Sequence, residues 1–279
     1  MSFKTIIVLA DQSSSASACT RYAVKVALRY GAHLIGIFVT PSTWKENTAE
    51  CYVRGQTAIQ QLIEYHNARE AAAAEAANLE FSAAMSRDPL SFEFRIVAES
   101  DAGALLKLHS LHADLVIAGH PQQASLPPRA AEELLLWTGV PCLVIPEHWE
   151  EGTVAKHVLL GWNASREARR AIRDALPLLK SAQSVSVVAV DSEENPLLGK
   201  EPGADVALAL SRHGVNVAVE QIRSEGISVA GAILNHAKRI GADLIVIGAY
   251  SHSRFRETLF GGVTRSLLDR TAVPLFIAH

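Results

Sequence analysis

The chain has 279 residues, 49% of them hydrophobic and 20% charged, with a formal net charge of −3. That length suits one large domain or two of ordinary size, and the weak negative charge excludes a general electrostatic pull toward nucleic acid or an anionic membrane. Three cysteines, Cys19, Cys51 and Cys142, with no CxxC pairing, read as reduced thiols rather than a disulfide framework.

At the amino terminus the apolar run Ile6–Ala10 ends at Asp11. It is too short for a signal-peptide core, so it is expected to be a first strand of a cytoplasmic protein. The serine-rich stretch Ser13–Ser17 is read as a helix cap, because serine before a helix satisfies its open amides. A second strand follows, with Val39 near its end. The Ala-rich stretch 58–84, bearing Glu70 and Glu75, suits a long helix. His109 and His112 are read as surface histidines, since no third metal ligand accompanies them. Within residues 112–119, HADLVIAG, Leu115–Ala118 then supply a continuously apolar strand, the pattern of a parallel strand covered on both faces. Cys142 lies in the strand after residues 138–141 and is expected to be a buried thiol. Trp137 and Trp162 flank the clefts and are expected to pack in cores.

After the charged joint Pro146–Gly152 the pattern starts again. Residues 157–163, HVLLGWN, match the opening IIVLAD; GADLIVIG at 241–248 matches HADLVIAG; TAVPLFIA at 271–278 matches TGVPCLVIP at 138–146. In this second copy strands are predicted over 156–161, 184–190, 215–222, 243–248 and 274–278, and helices over 165–180, 203–213, 227–240 and 262–271. Strand–helix alternation implies right-handed crossovers. The fold class is therefore α/β: two tandem, doubly wound, five-stranded parallel-sheet domains, 1–147 and 153–279. The copies differ in length. Asp11 to Asp114 spans 103 positions and Asn163 to Asp243 spans 80, so the first copy carries an insertion.

Residues 248–264, GAYSHSRFRETLFGGVT, carry the most specific signal. A loop of small residues leaving a parallel strand lets backbone approach phosphates, and a Gly-Gly helix start offers unpaired amides to an anion. The stretch resembles the universal stress protein signature: Gly, two residues, Gly, nine residues, Gly, then Ser or Thr. The resemblance implies that single-domain relatives dimerise through the last strand, so Cys142–Ile145 and Leu275–Ala278 would pair as a pseudo-dimer within one chain. It also implies an adenine nucleotide site formed by Asn163, Val190, Gly248, Ser251, Arg254, Gly261, Gly262 and Val263, with a degenerate counterpart at Asp11, Val39 and Gly119. The ligand would be ATP or another adenine nucleotide, with or without Mg2+. Three positions depart from the pattern: Ser251 for glycine, Gly262 for the hydroxyl residue, and Asn163 for the acid. Arg166, Arg169, Arg170, Arg254, Arg256 and Arg265 flank the second site. In the first copy Glu132 and Glu133 stand where phosphates would meet the helix, which reads as a structural half.

The absence of GxGxxG, Walker, HIGH and SGGxDS patterns disfavours dinucleotide, P-loop and adenylating folds. The resulting expectation is a non-enzymatic stress-response protein whose second domain binds adenine nucleotide. The alternatives are a nucleotide-free scaffold and, last, a slow ATPase. A homodimer and an unidentified protein partner are open; nucleic acid and membrane partners are not expected.

Overall fold

The computed structural model describes residues 2–10, 16–40, 56–85, 90–98, 102–119, 130–146, 149, 152–194, 200–249 and 262–279. The first half contains β1 (Thr5–Ala10), α1 (Ala16–Tyr30), β2 (His33–Thr40), α2 (Gln56–Met85) and β3 (Phe92–Ala98). It continues with α3 (Ala102–Ser110), β4 (Leu115–Gly119), α4 (Ala130–Thr138) and β5 (Cys142–Ile145). The second half repeats the rhythm with β6 (His157–Gly161), α5 (Arg166–Ser181), β7 (Ser184–Val190), α6 (Ala204–Arg212) and β8 (Val217–Ile222). It closes with α7 (Val229–Arg239), β9 (Leu244–Gly248), α8 (Gly262–Arg270) and β10 (Leu275–Ala278).

The sheet order is β3-β2-β1-β4-β5-β10-β9-β6-β7-β8. Every pairing is parallel except one: β10 runs antiparallel to β5, with Phe276 opposite Leu143. The two five-stranded sheets are thus continuous, joined by their last strands as the pseudo-dimer expectation requires. Each face carries one apolar cluster that spans both halves. One holds α1, α2, α5 and α6 through residues such as Tyr22, Phe81, Leu178 and Leu210. The other holds α3, α4, α7 and α8 through Leu106, Leu135, Ile233 and Leu267.

The repeated Ala-Asp-Leu motif has a local cause. Asp114 accepts from the backbone N–H groups of Lys4 and Thr5 at 2.6 and 3.0 Å, and Asp243 accepts from those of Lys156 and His157 at 3.0 and 2.8 Å. Each aspartate, just before a central strand, anchors the start of the first strand beside it, so donors that would be orphaned at a strand end are satisfied. The long helix α2 presses Phe81 onto β2 at Gly36, where a Cβ would come within 2.8 Å of the ring. Cys142 is fully buried, and burial pushes its thiol pKa up to about 12.

Two readings need correction. Trp137 is 70% exposed, with the Lys107 ammonium 4.2 Å from its ring centroid, rather than packed in a core. The joint between the halves is not simply charged surface: Trp149 is buried edge-on against Tyr22, their centroids 5.1 Å apart. The Ser13–Ser17 cap lies largely outside the described residues. His109 meets Arg95 at 2.8 Å; burial and that guanidinium lower its pKa. Among the described residues no helix is long and apolar enough to cross a membrane.

Tyr22 is fully buried, and its hydroxyl has no hydrogen-bond partner among the described residues. Burial first, and the Asp243 charge second, push its pKa above the ordinary phenol value. An orphaned buried hydroxyl costs about 1–3 kcal/mol. Tyr22→Phe is therefore expected to raise stability by about 1 kcal/mol in urea denaturation. A loss of similar size would show that the hydroxyl is bonded.

Candidate functional site

In a doubly wound sheet the ligand crevice lies outside the carboxyl ends of strands where the order reverses. In the second half that point falls between β6 and β9, which are neighbours, with β7 on the far side of β6. The crevice edges are therefore Gly161 and Gly248. In the first half the equivalent point lies between β1 and β4, ending at Ala10 and Gly119.

The loop after β6 is built from its own side chains. The Trp162 backbone N–H donates to the Val188 carbonyl at 2.8 Å. Asn163 Oδ1 accepts from the Ser165 N–H at 3.2 Å, and Ala164 takes a left-handed φ of 56°. Ser165 caps α5, its Oγ accepting from the Ala168 N–H at 3.0 Å. Asn163 thus uses its oxygen to shape the loop. An aspartate could accept the same bond, so the loop does not depend on the lost charge.

Gly248 is required by a close approach. A Cβ there would lie 2.2 Å from Ala168 N and 2.3 Å from the Glu167 carbonyl carbon. The first turn of α5 therefore rests directly on the end of β9. Beyond it, the Ala249 N–H donates to Ala278 at 2.8 Å, and His279 Nδ1 donates to the Ala249 carbonyl at 3.1 Å.

Sequence reasoning missed Glu167. It sits in that first turn, 4% exposed, in an ion pair with Arg166. Burial pushes its pKa up, but the Arg166 guanidinium, its own backbone N–H and the charge of His279 outweigh burial and hold it below the usual carboxylate range. An acid in a helix's first turn is the ordinary dipole preference. What makes this one a buried charge at the crevice is the glycine contact from 81 positions away.

The remaining expected residues divide. Val190 ends β7 half-buried, followed by Asp191 at φ 47°. Gly262 opens α8, exposed, and among the described residues no heavy atom lies within 4 Å of an added Cβ. Val263 beside it is 38% exposed. A crossover from β9 to β10, which run parallel, puts this helix start at the carboxyl edge of the sheet, and a helix start carries unpaired backbone amides. Ser251, Arg254 and Gly261, with Arg256, lie outside the described residues, as does Asp11. Val39 is buried in β2 and Gly119 is half-buried at the end of β4. Glu132 and Glu133 fall in the first turn of α4.

The flanking arginines are more neutralised than their sequence positions suggest. Arg166 pairs with Glu167, Arg170 with Asp174 at 2.6 Å, and Arg265 with Asp269 at 3.9 Å. Partner carboxylates four residues along the same helix account for two of these.

Comparison with known proteins bears on the family and the fold. The universal stress protein family model matches residues 155–279. A curated relative, the stress response protein NhaX of Bacillus subtilis (strain 168), is 38% identical over 48 residues, 17% of this chain and 29% of that protein. The match thus spans less than a third of that relative's length. A universal stress protein from Archaeoglobus fulgidus DSM 4304 superposes with a TM-score of 0.67 at 15% identity, covering 98% of this chain and 95% of that one. A functionally unknown protein from Pseudomonas aeruginosa PAO1 gives 0.55 at 12% identity, covering 99% and 92%. At these identities the two solved structures carry the fold alone, and they carry it across nearly the whole chain.

Proposed function

We propose, for a chain whose residues 155–279 form a universal stress protein family domain, that it is a non-enzymatic stress-response protein binding ATP or a related adenine nucleotide in the β6–β9 crevice. Occupancy would bias the conformation of the chain or its choice of protein partner. One observation carries the reading: α8 begins at an exposed Gly262, with no described residue within 4 Å of an added Cβ, on the carboxyl edge where the strand order reverses. Backbone amides at a helix start and a positive dipole end favour phosphate there.

The same position makes a test. Gly262→Ser puts a hydroxyl at the position where the family motif has one, without a clash among the described residues. A hydroxyl donating to a phosphate oxygen is a charge-assisted bond, so the variant is expected to bind ATP about tenfold more tightly. Gly262→Ala should leave affinity nearly unchanged. The measurement is a thermal-shift titration of wild type and both variants with ATP. Lack of stabilisation at millimolar ATP in all three would refute nucleotide binding.

A second reading, a nucleotide-free scaffold, is favoured by the internal pairing of Arg166, Arg170 and Arg265. It predicts that only Gly262→Ser responds to ATP, while the wild type does not.

A further inference from the structure

A cavity of about 580 Å3 opens between α7 and the loop after β8, two strands beyond β6 in the sheet order. That volume lies within the usual range for small-molecule sites. Its apolar wall comes from Ile222, Ile227 and Ala232, and its polar rim from Arg223, Asn235 and Arg239. His236, 4% exposed, completes the lining.

The rim is held in place from below. Arg239 Nη2 lies 2.7 Å from His236 Nδ1. A guanidinium has only donors, so Nδ1 accepts and the neutral ring carries its proton on Nε2. That Nε2 is 3.4 Å from Glu220 Oε2 but lacks the alignment of a hydrogen bond. Glu220 Oε1 in turn accepts from Ser186 Oγ at 2.7 Å. Arg239 Nη2 itself donates to Glu220 Oε2 at 3.5 Å, so a polar ladder runs from β7 through β8 to the rim, and it orients a guanidinium that has five N–H donors.

The loop opposite is equally fixed. The Ser224 N–H donates to Asp191 Oδ1 at 2.8 Å, and the Ile227 N–H donates to the Ser224 carbonyl at 3.0 Å. Glu225 is held at φ 50° and Gly226 at φ 84°. Left-handed backbone at a non-glycine residue persists only where the surroundings over-determine it, and such residues cluster at ligand sites.

We propose that this cavity is a second ligand site, separate from the β6–β9 crevice, that takes a small amphipathic monocarboxylate: the apolar body on Ile222 and Ile227, the carboxylate on Arg239 and Arg223. The charge balance disfavours a doubly charged head. Arg223 and Arg239 stand against Glu225 in the lining, and Glu220 Oε2 lies 3.5 Å from Arg239 Nη2, so a dianion meets too little positive charge. Arg223 also meets Glu193 at 2.7 Å, but both side chains are mostly exposed, so a ligand carboxylate displaces that pair at little cost. Planar carboxylate fits the fork of a guanidinium edge.

The test is a backbone amide NMR titration of the full chain with sodium octanoate. Saturable shifts are expected at residues 222–239, and Arg239→Ala should weaken binding about tenfold. Arg223→Ala, at an exposed position, should weaken it by a smaller factor and guards against a folding defect in the first variant. Octanol shares the tail and lacks the charge, so it should not saturate these amides. Octyl phosphate, a dianion, should bind less tightly than octanoate. Three outcomes would overturn the site: no saturable shift in this segment at millimolar octanoate, equal binding by both arginine variants, or an equal response to octanol. None of them depends on whether ATP occupies the other crevice.

Discussion

Gly248→Ala is expected to lower unfolding free energy by about 3 kcal/mol or more, the upper end of what overpacking costs. The new Cβ would meet main chain rather than a movable side-chain tip: Ala168 N at 2.2 Å and the Glu167 carbonyl carbon at 2.3 Å. Relief requires the whole first turn of α5 to lift off β9, which would break the Ser165 cap and expose Glu167. Urea denaturation followed by circular dichroism reads the effect as a drop in midpoint at unchanged slope. Gly262→Ala is the matched control, since its Cβ meets nothing among the described residues and alanine favours a helix. A Gly248→Ala midpoint equal to that of the wild type would mean that β9 and α5 do not approach as described. The glycine that opens the nucleotide motif thus has a packing reason that holds with or without a ligand.

Phe276→Ala is the second large effect, about 3–5 kcal/mol for truncating a fully buried aromatic ring. Phe276 is 0% exposed on β10, directly opposite Leu143 across the antiparallel joint, and belongs to the cluster that also holds Tyr22 and Trp149. Because that cluster spans both halves, the loss should be felt by both. Two probes, intrinsic tryptophan fluorescence and far-ultraviolet circular dichroism, should shift together in a single transition. A two-step transition in which the first half keeps its wild-type midpoint would show that the halves are energetically independent.

Much of the fold was legible because it is written in local periodicity. Apolar runs such as 244–247 and their helical intervals repeat in order, and the second-half elements fall within two residues of their expected bounds. Pairing of the two last strands followed from the duplication together with the family resemblance. What could not be read depends on contacts distant in sequence. Glu167 is buried because Gly248 brings β9 against it; Trp149 looks like part of a charged joint until Tyr22 is seen beneath it. The arginines looked like a free cation cluster because pattern reading counts charges one at a time, whereas Asp174 and Asp269 neutralise two of them one helical turn away. Trp137 was expected inside because aromatic bulk is usually buried, yet its ring serves as a platform for Lys107 at the surface. At the candidate site, Asn163, Val190, Gly248 and Gly262 were named from the sequence motif, and only the fold gives their placement.

The central claim is that the second half alone forms a working nucleotide crevice. Calorimetric titration of freshly purified, nucleotide-stripped protein with ATP counts the sites directly. A stoichiometry of one nucleotide per chain is the expected result. Two per chain, or no heat of binding at millimolar ATP, would contradict it.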